Sequence, residues 1–232
     1  MNRDQLQNLF EIALSKRKDY FDEDESVSVY PNMFDDKFLD NTEEEKVMTG
    51  ISGFDKYLCG GFLKQTISSV QTGTGKGKTT MLITLASNIL LQGYNVAFIN
   101  LEMREQELQF NIYSSLQEKY SFNEIRHNYN RANIEFVRDL QMEINNKNIG
   151  HFVTVKNDSF ESLTCKQIEQ RLKQVEESED YKFDIVFVDY IGLLQAHLIE
   201  KGIDRSDQAA QRTMREFKIM CERNNWAGVT AT

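Results

Sequence analysis

Eight consecutive residues, Thr72 to Thr79, have the order of a phosphate-binding loop. They read Thr-Gly-Thr-Gly-Lys-Gly-Lys-Thr and match the pattern GxxxxGK[ST], except that a threonine replaces the first glycine. Glycines lack a Cβ atom and let successive backbone N–H groups turn towards an anion. A strand is predicted before the loop and a helix after it, and the start of that helix adds a favourable dipole. The segment therefore predicts a nucleotide-phosphate site.

The side chains of this loop have different predicted roles. The Lys78 ammonium can reach the β- and γ-phosphates, and the Thr79 hydroxyl can bind Mg²⁺. Lys76 occupies a variable position of the pattern and can point to solvent. The alternative is a glycine-rich turn with chance lysines. We predict ATP and Mg²⁺ as cofactors, and the predicted nucleotide-binding residues are Thr72, Gly73, Thr74, Gly75, Lys76, Gly77, Lys78, Thr79 and Thr80.

Two acidic residues follow apolar strands further along the chain. Asp189 ends the run FDIVFVD, which is the pattern of a Walker B strand whose carboxylate holds Mg²⁺ through water. Glu102 follows VAFINL, and a carboxylate at the carboxyl edge of a parallel sheet can orient or deprotonate a water molecule. Simpler explanations exist, because many strands end in aspartate and Glu102 could cap a following helix. We predict metal ligands at Thr79 and Asp189, and catalytic residues at Glu102 and Lys78.

Alternating strands and helices predict the scaffold that positions these residues. Apolar runs predict strands buried on both faces, and the β-α-β alternation predicts an α/β fold with a mainly parallel sheet sandwiched by helices. Trp226, before the last strand, is predicted to be a packing anchor. The predicted strands are 66–71, 95–101, 152–156, 184–190 and 228–232, and the predicted helices are 78–91, 104–120, 134–147, 162–178 and 206–224.

Length and charge predict that the chain has two parts, an N-terminal appendage and a core domain. The 232 residues suit one α/β domain with an appendage. We expect an N-terminal amphipathic helix and acidic linker over 1–46, and the core over 47–232. Residues 1–50 hold 13 acidic and 6 basic side chains, and thus −7 of the total charge of −9. The core is therefore near neutral, and any nucleic-acid contact must be local.

Cysteine usage and hydropathy limit the remaining classes. Three cysteines without CxxC spacing predict neither a zinc site nor a disulfide framework, and they fit a reducing cytoplasm. Cys59, beside two glycines, is expected to be buried. No run of 18 apolar residues predicts a membrane span. Because the sequence stops at Thr232 inside an apolar run, we expect a core that is incomplete at its C-terminus.

The order of these motifs resembles the RecA-like ATPase domain of DnaB-family replicative helicases, including phage members. The resemblance is carried by TGISGFDKYLCGGF, QTGTGKGKTT, INLEM and VFVDYIGLL. It implies a RecA-like P-loop NTPase that couples ATP hydrolysis to movement on single-stranded DNA and to unwinding. It further implies a homohexameric ring and a cytoplasmic location, that of the host if phage-encoded. A primase or helicase loader is a candidate partner, and no membrane is involved.

The resemblance also implies roles outside the phosphate loop. The N-terminal helix would dock on an adjacent subunit, although packing on its own domain is the alternative. Residues 195–208 would face the central channel, where Lys201 and Arg205 could contact DNA, although an ordinary surface loop is the alternative. The family's arginine finger would lie beyond Thr232, so that the chain alone would bind nucleotide but hydrolyse it poorly. TGISGFDKYLCGG also resembles KaiC-like and recombinase-like ATPases, and a truncated nucleotide-binding assembly partner is a third hypothesis.

Overall fold

A parallel sheet of five strands is the centre of this computed structural model, which describes residues 44–73, 75–156, 163–194 and 206–232. The sheet has the order β3-β7-β6-β4-β5, and every neighbouring pair is parallel. Strands β1 and β2 pair separately and antiparallel. The strands are β1 (Lys46–Val47), β2 (Phe62–Leu63), β3 (Ile67–Val70), β4 (Val96–Asn100), β5 (Phe152–Lys156), β6 (Ile185–Asp189) and β7 (Ala227–Ala231).

Helices cover both faces of the sheet. No helix in the described residues is long and apolar enough to cross a membrane. A one-turn 3₁₀ helix, Ile191–Leu193, follows β6. The helices are α1 (Ser52–Tyr57), α2 (Lys78–Leu91), α3 (Glu105–Leu116), α4 (Phe122–Asn130), α5 (Ile134–Asn145), α6 (Cys165–Glu179) and α7 (Ser206–Asn224).

Strand alternation sorts the core into two layers. Val96 and Phe98 of β4 face α2 and α3, where Leu82 and Ile112 are among the buried residues. The next residue of the strand in each case, such as Ala97, faces α6 and α7 on the other side. Full burial of one such aliphatic or aromatic side chain contributes about 1.5–3 kcal/mol. The two layers therefore hold the sheet rigidly between the helices.

Central and edge strands differ in burial. All residues of β4, β6 and β7 are buried, as predicted. The prediction was wrong for β3 and β5, which are only partly buried because they form the two edges of the sheet within the described residues. Edge strands have one neighbour and less helix cover.

Three local features differ from the sequence predictions. The helix predicted over 104–120 ends at Leu116, and α4 starts separately after Ser121, which forms a capping box with Glu124. Helix α1 and the β1–β2 pair were not predicted. Cys59 is exposed, so its predicted burial was wrong. It follows the end of α1 with a φ of 53°, in a turn on the outside of the domain.

Trp226 anchors the start of β7, as predicted. Its side chain is fully buried, and the indole Nε1 donates to Glu176 Oε1 at 3.2 Å. The same carboxylate accepts from the Phe183 backbone N–H at 2.9 Å. One buried acid thus links α6 to the starts of β6 and β7. These contacts lie at the amino edge of the sheet, opposite the carboxyl ends of the strands.

Candidate functional site

The loop between β3 and α2 has the backbone shape that its glycines allow. Gly75 and Gly77 have φ values of +69° and +87°, a region that other residues rarely adopt. The Lys76 N–H donates to Gly73 O at 3.2 Å and closes the turn. Gly77 is the N-cap of α2, and its carbonyl accepts from the Met81 N–H at 2.9 Å. The first N–H groups of α2 therefore open towards the end of β3.

Three chain segments meet at the carboxyl edge of the sheet. Asn100 and Asp189 are register partners at the ends of β4 and β6, and the Leu101 N–H donates to Asp189 O at 3.1 Å. Thr72, two residues after the end of β3, donates its N–H to Thr232 O at 3.4 Å. Because parallel strands end at one edge, the glycine loop and both acidic strand ends come together there.

The environment of Asp189 shows that four predicted residues converge. Its side chain is 1% exposed. Burial raises the pKa of the Asp189 carboxyl, and a hydrogen bond from the Thr79 side chain counteracts this. The charge of Glu102 raises the same pKa further, and the charge of Lys78 lowers it. These interactions require all three side chains to lie within electrostatic range of Asp189.

The donor set at this point fits a magnesium ion. Asp189 Oδ2 is buried and has no hydrogen-bond partner among the described residues, and such an atom is costly unless a ligand satisfies it. Carboxylate and hydroxyl oxygens are the ligand types that Mg²⁺ prefers. The described part of the chain holds no cluster of three or more His, Cys, Asp or Glu side chains. Mg²⁺ commonly keeps several waters and takes its other ligands from phosphates, so one acid and one hydroxyl suffice.

Glu102 lies on a short turn that is held by contacts the sequence did not predict. The turn 101–103 joins β4 to the start of α3, and the Glu102 side chain is exposed. Asn100, buried at the end of β4, donates its amide N–H to Met103 O at 2.8 Å and accepts from Met103 N at 3.1 Å. Sequence reasoning missed Asn100, because an asparagine at a strand end carries no distinctive pattern.

A neighbouring acid fixes the start of the helix that follows this turn. Glu105, the first residue of α3, forms an ion pair with Lys156 at 3.2 Å and accepts from the Thr154 hydroxyl at 3.4 Å. These contacts fix the start of α3 to the end of β5. The turn that carries Glu102 is thus followed by an anchored helix.

The other predicted site residues are placed as follows. Thr72, Gly73 and Gly75 are exposed at the loop, and so are Lys76 and Thr80. Lys78 and Thr79 are half-buried in the first turn of α2. Thr74 lies outside the described residues, as do the amphipathic helix and linker to residue 43 and the channel loop with Lys201 and Arg205. The roles assigned to all of these residues stay predictions.

A separate cavity of about 350 Å³ lies between α3, α4 and α5. Its lining includes Phe110, Tyr113, Tyr129 and Phe136, and none of its described lining residues is charged. Without an acid, a base or a cation, this cavity offers no group for phosphate chemistry. The carboxyl edge of the sheet is therefore the better candidate site.

Comparison with known proteins identifies a matching family. The family model described as the DnaB-like helicase C terminal domain matches residues 46–227. Comparison with proteins of curated function gives no significant sequence match.

Two solved structures share the fold. A DnaB-like replicative helicase, described with its interactions with primase, aligns over 94% of this chain and 51% of its own, with 16% identity and a TM-score of 0.63. A second structure, described as an ATPase domain, aligns over 86% of this chain and 67% of its own, with 17% identity and a TM-score of 0.60. The chain thus spans about half the length of the first of these structures. At such identities the structural likeness establishes the fold alone.

Proposed function

Because the chain belongs to the DnaB-like helicase C-terminal domain family, we propose that it is the ATP-hydrolysing part of a replicative DNA helicase. ATP hydrolysis would drive movement along single-stranded DNA and separation of the duplex. The observation that carries the proposal is the convergence of Lys78, Thr79 and Glu102 on the buried carboxyl of Asp189. A phosphate-binding helix start and two acids at one sheet edge form the parts that phosphoryl transfer needs.

Each side chain has a chemical task in this proposal. The Lys78 ammonium binds the β- and γ-phosphate oxygens, and the backbone N–H groups of the glycine loop surround them. Thr79 and Asp189 would hold Mg²⁺, which supplies positive charge against the phosphates when bound. Glu102 accepts a proton from the water whose oxygen bonds to the terminal phosphorus, while the bond from that phosphorus to the ADP oxygen breaks.

Family membership is the support for a proposal about the assembly and its partners. We propose a homohexameric ring in the cytoplasm, or in the host cytoplasm for a phage protein, that encloses single-stranded DNA and meets a primase or helicase loader. The near-neutral core is compatible with a channel that contacts DNA through few groups from each subunit. A sequence-independent groove needs only local cations and amides that follow the phosphate backbone.

Magnesium-dependent nucleotide binding tests the site assignment. A fluorescent ATP analogue is titrated into the purified chain with and without Mg²⁺. We expect Mg²⁺ to tighten binding by about tenfold or more, and we expect Thr79→Ala and Asp189→Ala to remove that gain. Thr84→Ala is the matched control, because this exposed threonine of α2 only donates to Thr80 O at 2.8 Å. An unchanged Mg²⁺ gain in both site variants would refute the ligand assignment.

Strand separation tests the helicase assignment. The full-length protein is given a forked DNA substrate and ATP, and Lys78→Ala is compared with the native sequence. Loss of the lysine removes the charge that binds the phosphates, so we expect unwinding to stop. Unwinding that survives Lys78→Ala would show that another site drives it. ATP turnover without unwinding under any condition would favour a KaiC-like or recombinase-like ATPase instead.

A further inference from the structure

The turn that carries Glu102 is held by hydrogen bonds to its backbone atoms and not by contacts of the Glu102 side chain. Its first residue, Leu101, donates its N–H to Asp189 O at 3.1 Å. Its last residue, Met103, is bracketed by the Asn100 amide, which contacts both the N–H and the carbonyl. Glu102 itself has no hydrogen bond or ion pair among the described residues. The direction of its carboxylate is therefore set by the shape of the turn.

Asn100 is an unusual residue for its position. It is 4% exposed at the end of a fully buried strand, where an apolar side chain would satisfy the core without a polar cost. Both polar atoms of its amide are used on one residue, three positions later in the chain. Asn100 is also the register partner of Asp189. A buried amide therefore links the strand pair under the metal-binding carboxyl to the turn that carries the general base.

We propose that Asn100 is a positioning residue that holds Glu102 at its working distance from Lys78, Thr79 and Asp189. This inference rests on the proposed function. It states that Asn100 contributes to the rate of hydrolysis through Glu102 and contributes nothing to nucleotide affinity. Misplacing a catalytic group by about 1 Å can cost on the order of 10²-fold in rate, so a loosened turn is sufficient for a large effect.

The other end of α3 provides a matched control. Gln117 is also 4% exposed. Its amide donates to Tyr120 O at 2.6 Å and accepts from Tyr120 N at 2.7 Å, again three residues later. It additionally donates to Tyr113 O at 3.3 Å. Replacing Gln117 by alanine thus removes at least as many buried hydrogen bonds as replacing Asn100, but it does so at the far end of the helix from Glu102.

The experiment compares Asn100→Ala and Gln117→Ala in the full-length protein. Single-turnover ATP hydrolysis with protein in excess gives the rate, and titration gives the affinity for Mg²⁺-ATP. We expect Asn100→Ala to slow hydrolysis by about 10- to 100-fold and to leave the affinity within about twofold. Gln117→Ala should slow hydrolysis by less than about threefold. Amide hydrogen exchange at Met103 should become faster in Asn100→Ala only.

A double-mutant cycle separates positioning from general damage. If Asn100 acts through Glu102, then Asn100→Ala should not slow hydrolysis further in a Glu102→Gln background. Additive losses, or equal losses in the two amide variants, would overturn the inference. The proposed function would still stand if hydrolysis by the full-length protein depends on Lys78. Absence of Lys78-dependent hydrolysis in the full-length protein would refute the proposed function, and the inference with it.

Discussion

Replacing Asp189 by asparagine should stabilise the nucleotide-free chain and remove the stabilisation that Mg²⁺ gives with nucleotide. The carboxyl is buried, one of its oxygens has no hydrogen-bond partner among the described residues, and the charge of Glu102 acts against it. Such a group is favourable only when a cation occupies the site. The substitution keeps the shape of the side chain and removes its charge. It therefore separates the stability cost of the buried carboxyl from its role in binding Mg²⁺.

The size of the effect follows from the unpaired oxygen. An unsatisfied buried polar group costs about 1–3 kcal/mol. The asparagine amide keeps part of that cost, so we expect a gain of about 1 kcal/mol, or roughly 2–4 °C in melting temperature for a chain of this length. Nucleotide with Mg²⁺ at one hundred times its Kd should stabilise the native chain by about 2.7 kcal/mol. The variant should show only the smaller stabilisation that nucleotide gives without Mg²⁺.

The pH dependence has a definite sign. Burial raises the pKa of Asp189, so the folded chain holds this proton more tightly than the unfolded chain does. The contribution of the protonated group to stability is present below the ordinary aspartate pKa of about 3.9 and is lost as pH rises through the raised pKa. Asparagine does not titrate. The melting-temperature difference between variant and native chain should therefore grow above about pH 4 and level off above the raised pKa.

Asp184, at the other end of the same run, is the control. Its carboxylate accepts from Lys64 Nζ at 3.0 Å and from the Asn95 N–H at 2.9 Å. Asp184→Asn should therefore destabilise the chain by about 1–2 kcal/mol. Thermal unfolding of both variants from pH 4 to 8, with and without nucleotide and Mg²⁺, gives all the comparisons. A loss of stability in Asp189→Asn as large as that in Asp184→Asn would refute the reasoning, because the carboxyl would then be structural.

Three further substitutions, one of them a control, test the scaffold by chemical denaturation. Gly77→Ala should cost about 1–2 kcal/mol, because Gly77 has a φ of +87°, and it should weaken nucleotide binding. Gly53→Ala in α1 should be neutral or stabilising by up to about 1 kcal/mol, since a Cβ there would meet no described atom within 4 Å; an equal cost at both glycines would contradict the backbone argument. Trp226→Phe should cost about 1–3 kcal/mol by removing the hydrogen bond to Glu176, and an unchanged midpoint would show that the bond is unimportant.

The RecA-like α/β fold was predictable because its signals are local and repeated. Continuous apolar runs marked the strands, and the glycine loop fixed the start of α2 at Lys78, so that its predicted bounds match. Edge and central strands could not be distinguished, since strand order depends on crossovers that no single segment encodes. The break after Leu116 had a usable signal, because Ser121 and Glu124 have capping-box spacing.

The site shows the same division between patterns and geometry. Lys78, Thr79, Asp189 and Glu102 stand in segments whose residue types indicate chemistry, and the sheet order brings them within range of one another. Asn100 could not be found in this way, because its partners are backbone atoms, which every residue possesses. Asn100 and Gln117 make the same pair of contacts at opposite ends of α3. Only the pairing of β4 with β6 places one of these amides opposite Asp189, and this is why the proposed positioning role is argued from topology and not from residue type.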